Sequence, residues 1–183
     1  EEDEEFCDDC RSRRRYFDRG WGMLLHDDAT RKIIYDLKFN NRRDNADFLG
    51  HAMAEYFAEQ LKIWEAEALI PIPLHKKRQK RRGYNQAELL AKEIPANPGI
   101  PEKQLLKKIK DNPAQSGTGS AKERMSNVTG VYAMRSKADV SGKTVLLVDD
   151  IVTTGATLSE CARVLRKEGA ERVYAVTLAR QRD

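Results

Sequence analysis

Val145-Leu146-Leu147-Val148-Asp149-Asp150-Ile151-Val152-Thr153-Thr154-Gly155-Ala156-Thr157 is the stretch on which the fold turns. Four consecutive apolar residues, Val145 to Val148, predict a strand covered on both faces, because a strand with one wet face would alternate. Downstream, Leu158, Cys161, Ala162 and Leu165 fall on one helical face that stops at Gly169, and Val173 to Leu178 is a second apolar strand. Strand, helix and strand in so short a span make a βαβ unit. Since helices and strands alternate along the rest of the chain, the expected class is α/β, with a mainly parallel twisted sheet flanked by helices.

Ligands of open α/β sheets bind at the carboxyl ends of strands, where Asp149 and Asp150 fall. Both carboxylates are expected to be solvent-accessible in the empty site. Thr153, Thr154, Gly155, Ala156 and Thr157 are small or hydroxylic and lead into a helix, so backbone N–H groups, hydroxyls and the helix dipole can together wrap a phosphate. Acceptors at one end and donors at the other suit a sugar phosphate, with the carboxylates meeting ribose hydroxyls or magnesium. The plainer alternative is a strand end with an Asp cap and a Thr-rich turn. Two decoys fail: Gly142-Lys143-Thr144 has Lys137 where a phosphate loop needs its first glycine, and Gly117-x-Gly119 has Lys122 in place of its third.

Upstream, Tyr16 to Leu25 reads as an edge strand or hairpin. Asp28 is expected to cap a helix carrying Ile33, Ile34 and Leu37, and a second helix from Asp44 carries Leu49, Ala52, Met53 and Tyr56. Ala68-Leu69-Ile70 is a short strand stopped by Pro71 and Pro73. A loop then holds six cations between Lys76 and Arg82, and Asn85 caps a helix with Ala87, Leu90, Ala91 and Ile94. Pro95 to Pro101 is a breaker-rich connection, Leu105 to Lys110 and Val131 to Met134 are expected strands, and Asp111 to Asn127 is a long polar loop. His26, His51 and His75 lie apart, so His75 reads as a loop donor and the others as surface or helix residues, while Cys161 reads as core.

The stretch from Val145 to Thr157 closely resembles the phosphoribosyl pyrophosphate (PRPP) signature of type I phosphoribosyltransferases. The resemblance implies that Asp149 and Asp150 engage the ribose hydroxyls, directly or through water and magnesium, and that Thr153 to Thr157 hold the 5′-phosphate. The implied reaction displaces pyrophosphate at the anomeric carbon, with fixed acidic charge stabilising an oxocarbenium-like centre. Ile70-Pro71-Ile72-Pro73-Leu74-His75 followed by Gly83-Tyr84-Asn85-Gln86-Ala87 is similar to the ComF family of competence-associated, amidophosphoribosyltransferase-like proteins. Leu37-Lys38-Phe39, Phe6-Cys7-Asp8-Asp9-Cys10-Arg11, and Lys110 to Gln115 with Arg124 and Asn127-Val128 match further parts of that family, although Asn112 and Thr118 depart from it. The family implies a PRPP-type domain over 16–183, a link to DNA uptake, and an N-terminal zinc ribbon of which 1–15 is the remnant.

In that fold Pro73, Leu74, His75 and Lys76 would face the pyrophosphate. The cations that follow exceed what one pyrophosphate needs, so an electrostatic track for single-stranded DNA, with Tyr84 as a stacking ring, is a second reading, and a solvated charged loop is the third. The function expected is magnesium-dependent phosphoribosyl transfer in DNA uptake, and the alternative is a non-catalytic nucleic-acid-handling module with PRPP or a nucleotide as regulatory ligand.

With 183 residues, 40% of them hydrophobic, the chain can bury a core, and the formal charge of +4 does not by itself demand nucleic acid. No apolar run reaches the ~18 residues of a membrane span, and an acidic start unlike a signal peptide gives a cytoplasmic expectation. The chain begins at Glu1 instead of methionine, and the expectation is a fragment or a processed form. Cys7 and Cys10 form half of a tetrahedral zinc site or are two surface thiols; for the intact protein zinc is expected, with the other ligands upstream.

Overall fold

The computed structural model describes residues 15–39, 44–94, 104–112, 127–135 and 140–181. The expectations for Cys7, Cys10, the Pro95–Pro101 connection, Gly117, Gly119 and Arg124 lie outside them. Strands β1 (Arg19–Leu25), β2 (Ala68–Pro71), β5 (Thr144–Val152) and β6 (Arg172–Arg180) form a parallel sheet in the order β1-β6-β5-β2. Strands β3 (Leu106–Lys108) and β4 (Tyr132–Met134) pair antiparallel outside it, so the strand expected at Leu105 to Lys110 is one arm of a satellite hairpin. Tyr16 to Leu25 resolves to an edge strand on β6 rather than a hairpin.

Helices α1 (Asp28–Phe39), α2 (Asp44–Tyr56), α3 (Ala58–Trp64), α4 (Lys76–Arg82), α5 (Gln86–Lys92) and α6 (Ala156–Lys167) complete the described elements. The cap of α1 is Asp27, not Asp28: its Oδ1 accepts the Thr30 N–H at 2.8 Å, which holds the Asp27 carboxyl below its usual range. The stretch from Lys76 to Arg82 is a helix, not a loop. His75 caps its start, and Gly83, at φ 85°, ends it in the left-handed conformation that glycine adopts without strain.

Strand alternation divides the core in two. Leu146 and Val148 face α1, α2, α3 and α5, packing with Leu37, Leu49, Met53, Trp64 and Leu90. Val145 and Leu147 face the other way, onto Leu158, Cys161 and Leu165 of α6 and Leu106 and Tyr132 of the hairpin. Cys161 is fully buried, as expected of a residue on that stripe. Asn85 joins the strand turn to α5: its Nδ2 donates to Ile72 O at 2.9 Å and its Oδ1 accepts the Ala87 N–H at 3.2 Å, all buried. Asn85→Ala is expected to cost about 1–2 kcal/mol, since it removes a cap and orphans a buried carbonyl. A denaturant midpoint measures it, and an unchanged midpoint would show the turn to be held by its neighbours instead.

Candidate functional site

The sheet brings the expected site residues to one end. β2 lies beside β5 with Pro71 opposite Val148, so the Pro73–Lys76 turn leaves the sheet next to the acidic pair. β5 runs through Asp149 and Asp150, which therefore lie inside the strand; Asp149 is opposite Thr177 of β6. Side chains of neighbouring strand residues point to opposite faces. The two carboxylates consequently do not share an edge.

Asp150 turns to the α1 face and is only 2% exposed, against the expectation of an accessible carboxylate. The Lys38 ammonium, projecting from the last turn of α1, lies 2.6 Å from Asp150 Oδ2. A carboxylate this deep needs a partner, and Lys38 is it. Asp149 turns to the α6 face, partly buried, and its Oδ1 accepts the Asp150 N–H at 2.8 Å. Burial first, and then the neighbouring Asp150 charge, push the Asp149 carboxyl well above the usual carboxylate range. On the same side, burial and then the Asp149 charge raise the Cys161 thiol. Burial likewise keeps the Tyr132 phenol neutral, with Thr157 in hydrogen-bonding reach. Lys108 is lowered by burial and by the nearby Arg78 guanidinium.

The Thr153–Thr157 turn enters α6 through Gly155, whose φ of 66° is left-handed. A Cβ there would meet Arg15 Nη1 at 3.4 Å and Phe17 at 3.6 Å, ordinary contact distances, so it is the backbone conformation that favours glycine. Thr153 is exposed, Gly155 and Ala156 are buried, and Thr154 Oγ1 is buried without a hydrogen-bond partner. A hydroxyl left open on a turn at a helix entrance, with Arg15 alongside, fits an oxyanion. In the sequence Arg15 is only part of a basic stretch, and nothing local signals its return to residue 155.

His75 is a cap rather than a donor: its Nδ1 accepts the Lys77 N–H at 3.4 Å, and it lies 3.8 Å from Asp111 Oδ2. Its backbone also bridges to Lys108, which pins the Pro73–Lys76 turn to the hairpin. Arg78 is bound to Asp111 at 3.0 Å and to the Asn112 carbonyl, and Asn112 donates to Asn127 O, so the ends of the Asp111–Asn127 segment are tied. Tyr84 is not a stacking ring. It is 6% exposed and its hydroxyl donates to Leu37 O, inside the wall between α1 and α4. Among the described residues no group of three or more His, Cys, Asp or Glu could cage a metal. Magnesium fits as an ion carried on ligand and water oxygens, meeting at most the Asp149 carboxylate on the α6 side.

A phosphoribosyl transferase domain model matches residues 80–183. The chain therefore belongs to the phosphoribosyl transferase domain family, and within it to the ComF group. It is 42% identical over 123 residues to competence protein F of Haemophilus influenzae, covering 66% of this chain and 52% of that protein. It is 29% identical over 161 residues to competence protein ComFC of Bacillus subtilis, covering 86% and 62%, and 28% identical over 152 residues to DNA utilization protein YhgH of Salmonella typhimurium, covering 81% and 66%. The chain thus spans about half to two-thirds of the length of these curated relatives. The glutamine PRPP amidotransferase of B. subtilis complexed with ADP and GMP shares the fold, with a TM-score of 0.50 at 20% identity over 78% of this chain and 30% of that one. Among the described residues no helix is long and apolar enough to cross a membrane.

Proposed function

We propose that the chain binds PRPP with magnesium on the α6 side of the sheet end and transfers the phosphoribosyl group, releasing pyrophosphate, in the cytoplasmic handling of incoming DNA. The observation that carries this reading is the open Thr154 hydroxyl on the Gly155 turn, with Arg15 alongside. The turn would take the 5′-phosphate. Asp149 would accept from a ribose hydroxyl and set negative charge beside the anomeric carbon as its bond to pyrophosphate breaks. Magnesium would neutralise the departing pyrophosphate. The Pro73–Lys76 turn, at the same strand end, would face that pyrophosphate. Asp150 serves on this reading as the anchor of Lys38 and not as a ribose acceptor.

Asp149→Asn should lower PRPP–magnesium affinity roughly 10- to 100-fold, the worth of one charge-assisted hydrogen bond. The proton balance gives a second readout. Because the native protein holds the Asp149 proton more tightly than the unfolded chain does, ligand-free stability falls as pH rises from the unfolded-state value through the native one. A ligand bearing magnesium favours the carboxylate, so binding should release a proton and strengthen as pH rises. Calorimetry in buffers of different ionisation enthalpy measures that release. Asp149→Asn should abolish it and leave the ligand-free protein at least as stable. Equal PRPP affinity in wild type and variant would sink the assignment, and pyrophosphate release with candidate acceptors decides turnover.

A DNA-binding reading is favoured by one observation: Lys76, Lys77, Lys80 and Arg81 of α4 are all exposed. If they track single-stranded DNA, Lys76→Ala with Lys77→Ala and Lys80→Ala should flatten the salt dependence of binding, by roughly 0.7 in log–log slope for each phosphate no longer neutralised. An unchanged slope returns these residues to a solvated face.

A further inference from the structure

Lys38 and Phe39 at the end of α1 and Arg78, Arg81 and Arg82 of α4 line a cavity of about 250 Å³, with Tyr84 as its back wall. It lies on the α1 side of the sheet, the side to which Asp150 turns and Asp149 does not. Charge in it is unbalanced. Lys38 answers Asp150, whose charge also acts on Arg82, and Arg78 answers Asp111, whereas the hydrogen bond of Arg82 goes to the neutral Gln86 and Arg81 makes no ion pair among the described residues. Four cations thus face two carboxylates, and the planar forks of Arg81 and Arg82 match phosphate oxygens.

The second component is aromatic. Phe39 is 57% exposed at the cavity, with the Arg82 guanidinium 5.4 Å from its ring centroid, and the 55% exposed Tyr35 packs on it at 4.8 Å. Two large rings left half in water, one of them under the Arg82 guanidinium, serve no core. They offer a face on which a planar base can stack. The cavity is smaller than the roughly 300–1,000 Å³ that encloses a drug-sized ligand, so it takes a phosphate while the ring lies on the rim.

We propose that the α1–α4 cavity is a nucleotide site, with phosphate held by Arg81 and Arg82 and the base stacked on Phe39, separate from the ribose-phosphate turn on the α6 side. The inference rests on the PRPP reading only in taking the α6 side as the PRPP site. The same chemistry could arrive as a free mononucleotide or as one nucleotide of a single strand.

The test uses dAMP and a short oligo-dA strand as probes, titrated into the whole chain with and without saturating PRPP–magnesium. Phe39→Ala and Arg81→Ala are the variants, since both side chains are exposed and neither supports the core. Binding of either probe in the presence of PRPP, weakened roughly five-fold or more by each variant with PRPP affinity unchanged, is the expected result. If dAMP binds, the source is a free nucleotide; if only the strand binds, it is nucleic acid. Displacement of the probe by PRPP–magnesium would overturn the proposal, because the cavity would then belong to the PRPP site. Failure of both probes to bind, or binding indifferent to Phe39→Ala, would overturn it too. A wild-type chain that binds dAMP but not PRPP would keep the cavity and refute the PRPP reading.

Discussion

Lys38→Met is expected to destabilise the protein by about 3–5 kcal/mol, because it strips the partner from a carboxylate buried at the centre of the sheet end. The Lys38 side chain is 22% exposed and Asp150 3%, so water cannot replace the missing ammonium cheaply. Asp150→Asn in the Lys38→Met background should restore most of that stability, since no uncompensated charge then remains. Lys38→Arg keeps the charge and should cost far less. Thermal or denaturant unfolding of the wild type, Lys38→Met, Asp150→Asn and the double variant forms a double-mutant cycle, and its coupling energy isolates the pair. Additive effects of the two substitutions would show that the ion pair at 2.6 Å contributes little and that Lys38 acts through packing alone.

The second large effect belongs to the core. Leu147→Ala should cost about 3–4 kcal/mol, within the range for emptying a leucine site in a rigid interior. Leu147 is fully buried, opposite Ile70 on one neighbour strand and Ala175 on the other, and packs onto α6. Strands on both sides restrict collapse into the void. The destabilisation is read from the denaturant midpoint at constant slope. A cost below about 1 kcal/mol would mean that α6 moves in to fill the space, and the Gly155 turn at its start would then shift as well.

The α/β class, the parallel sheet and the β5–α6–β6 unit were legible in the sequence because they rest on local patterns: a continuous apolar run, a helical stripe that includes Cys161, and a small-residue helix entrance at Gly155. The Asn85 cap and the short strand before Pro71 were legible for the same reason. What depends on which residues meet across the chain was not. Where β5 ends is decided by its pairing to β6 as far as Arg180, and that pairing puts Asp149 and Asp150 on opposite faces. The burial of Asp150 depends on Lys38, a residue far earlier in the chain whose own segment gives no hint that the two meet.

Tertiary packing also overrides local preference at single residues. Tyr84, which follows a run of cations in sequence, is turned inward by a hydrogen bond to Leu37, and the exposed ring at that site is Phe39. Gly50 sits inside α2, where propensity favours alanine, yet a Cβ there would lie 2.4 Å from the Glu93 Cβ just beyond α5 and 2.9 Å from the Leu90 carbonyl oxygen within it. The sequence by itself determined the elements and the chemistry of the β5–α6 turn, since period and residue type act over a few positions. Only the tertiary structure decided which charges are buried, which are paired and which face water, because those properties belong to segments that are far apart in the chain and meet only when it folds.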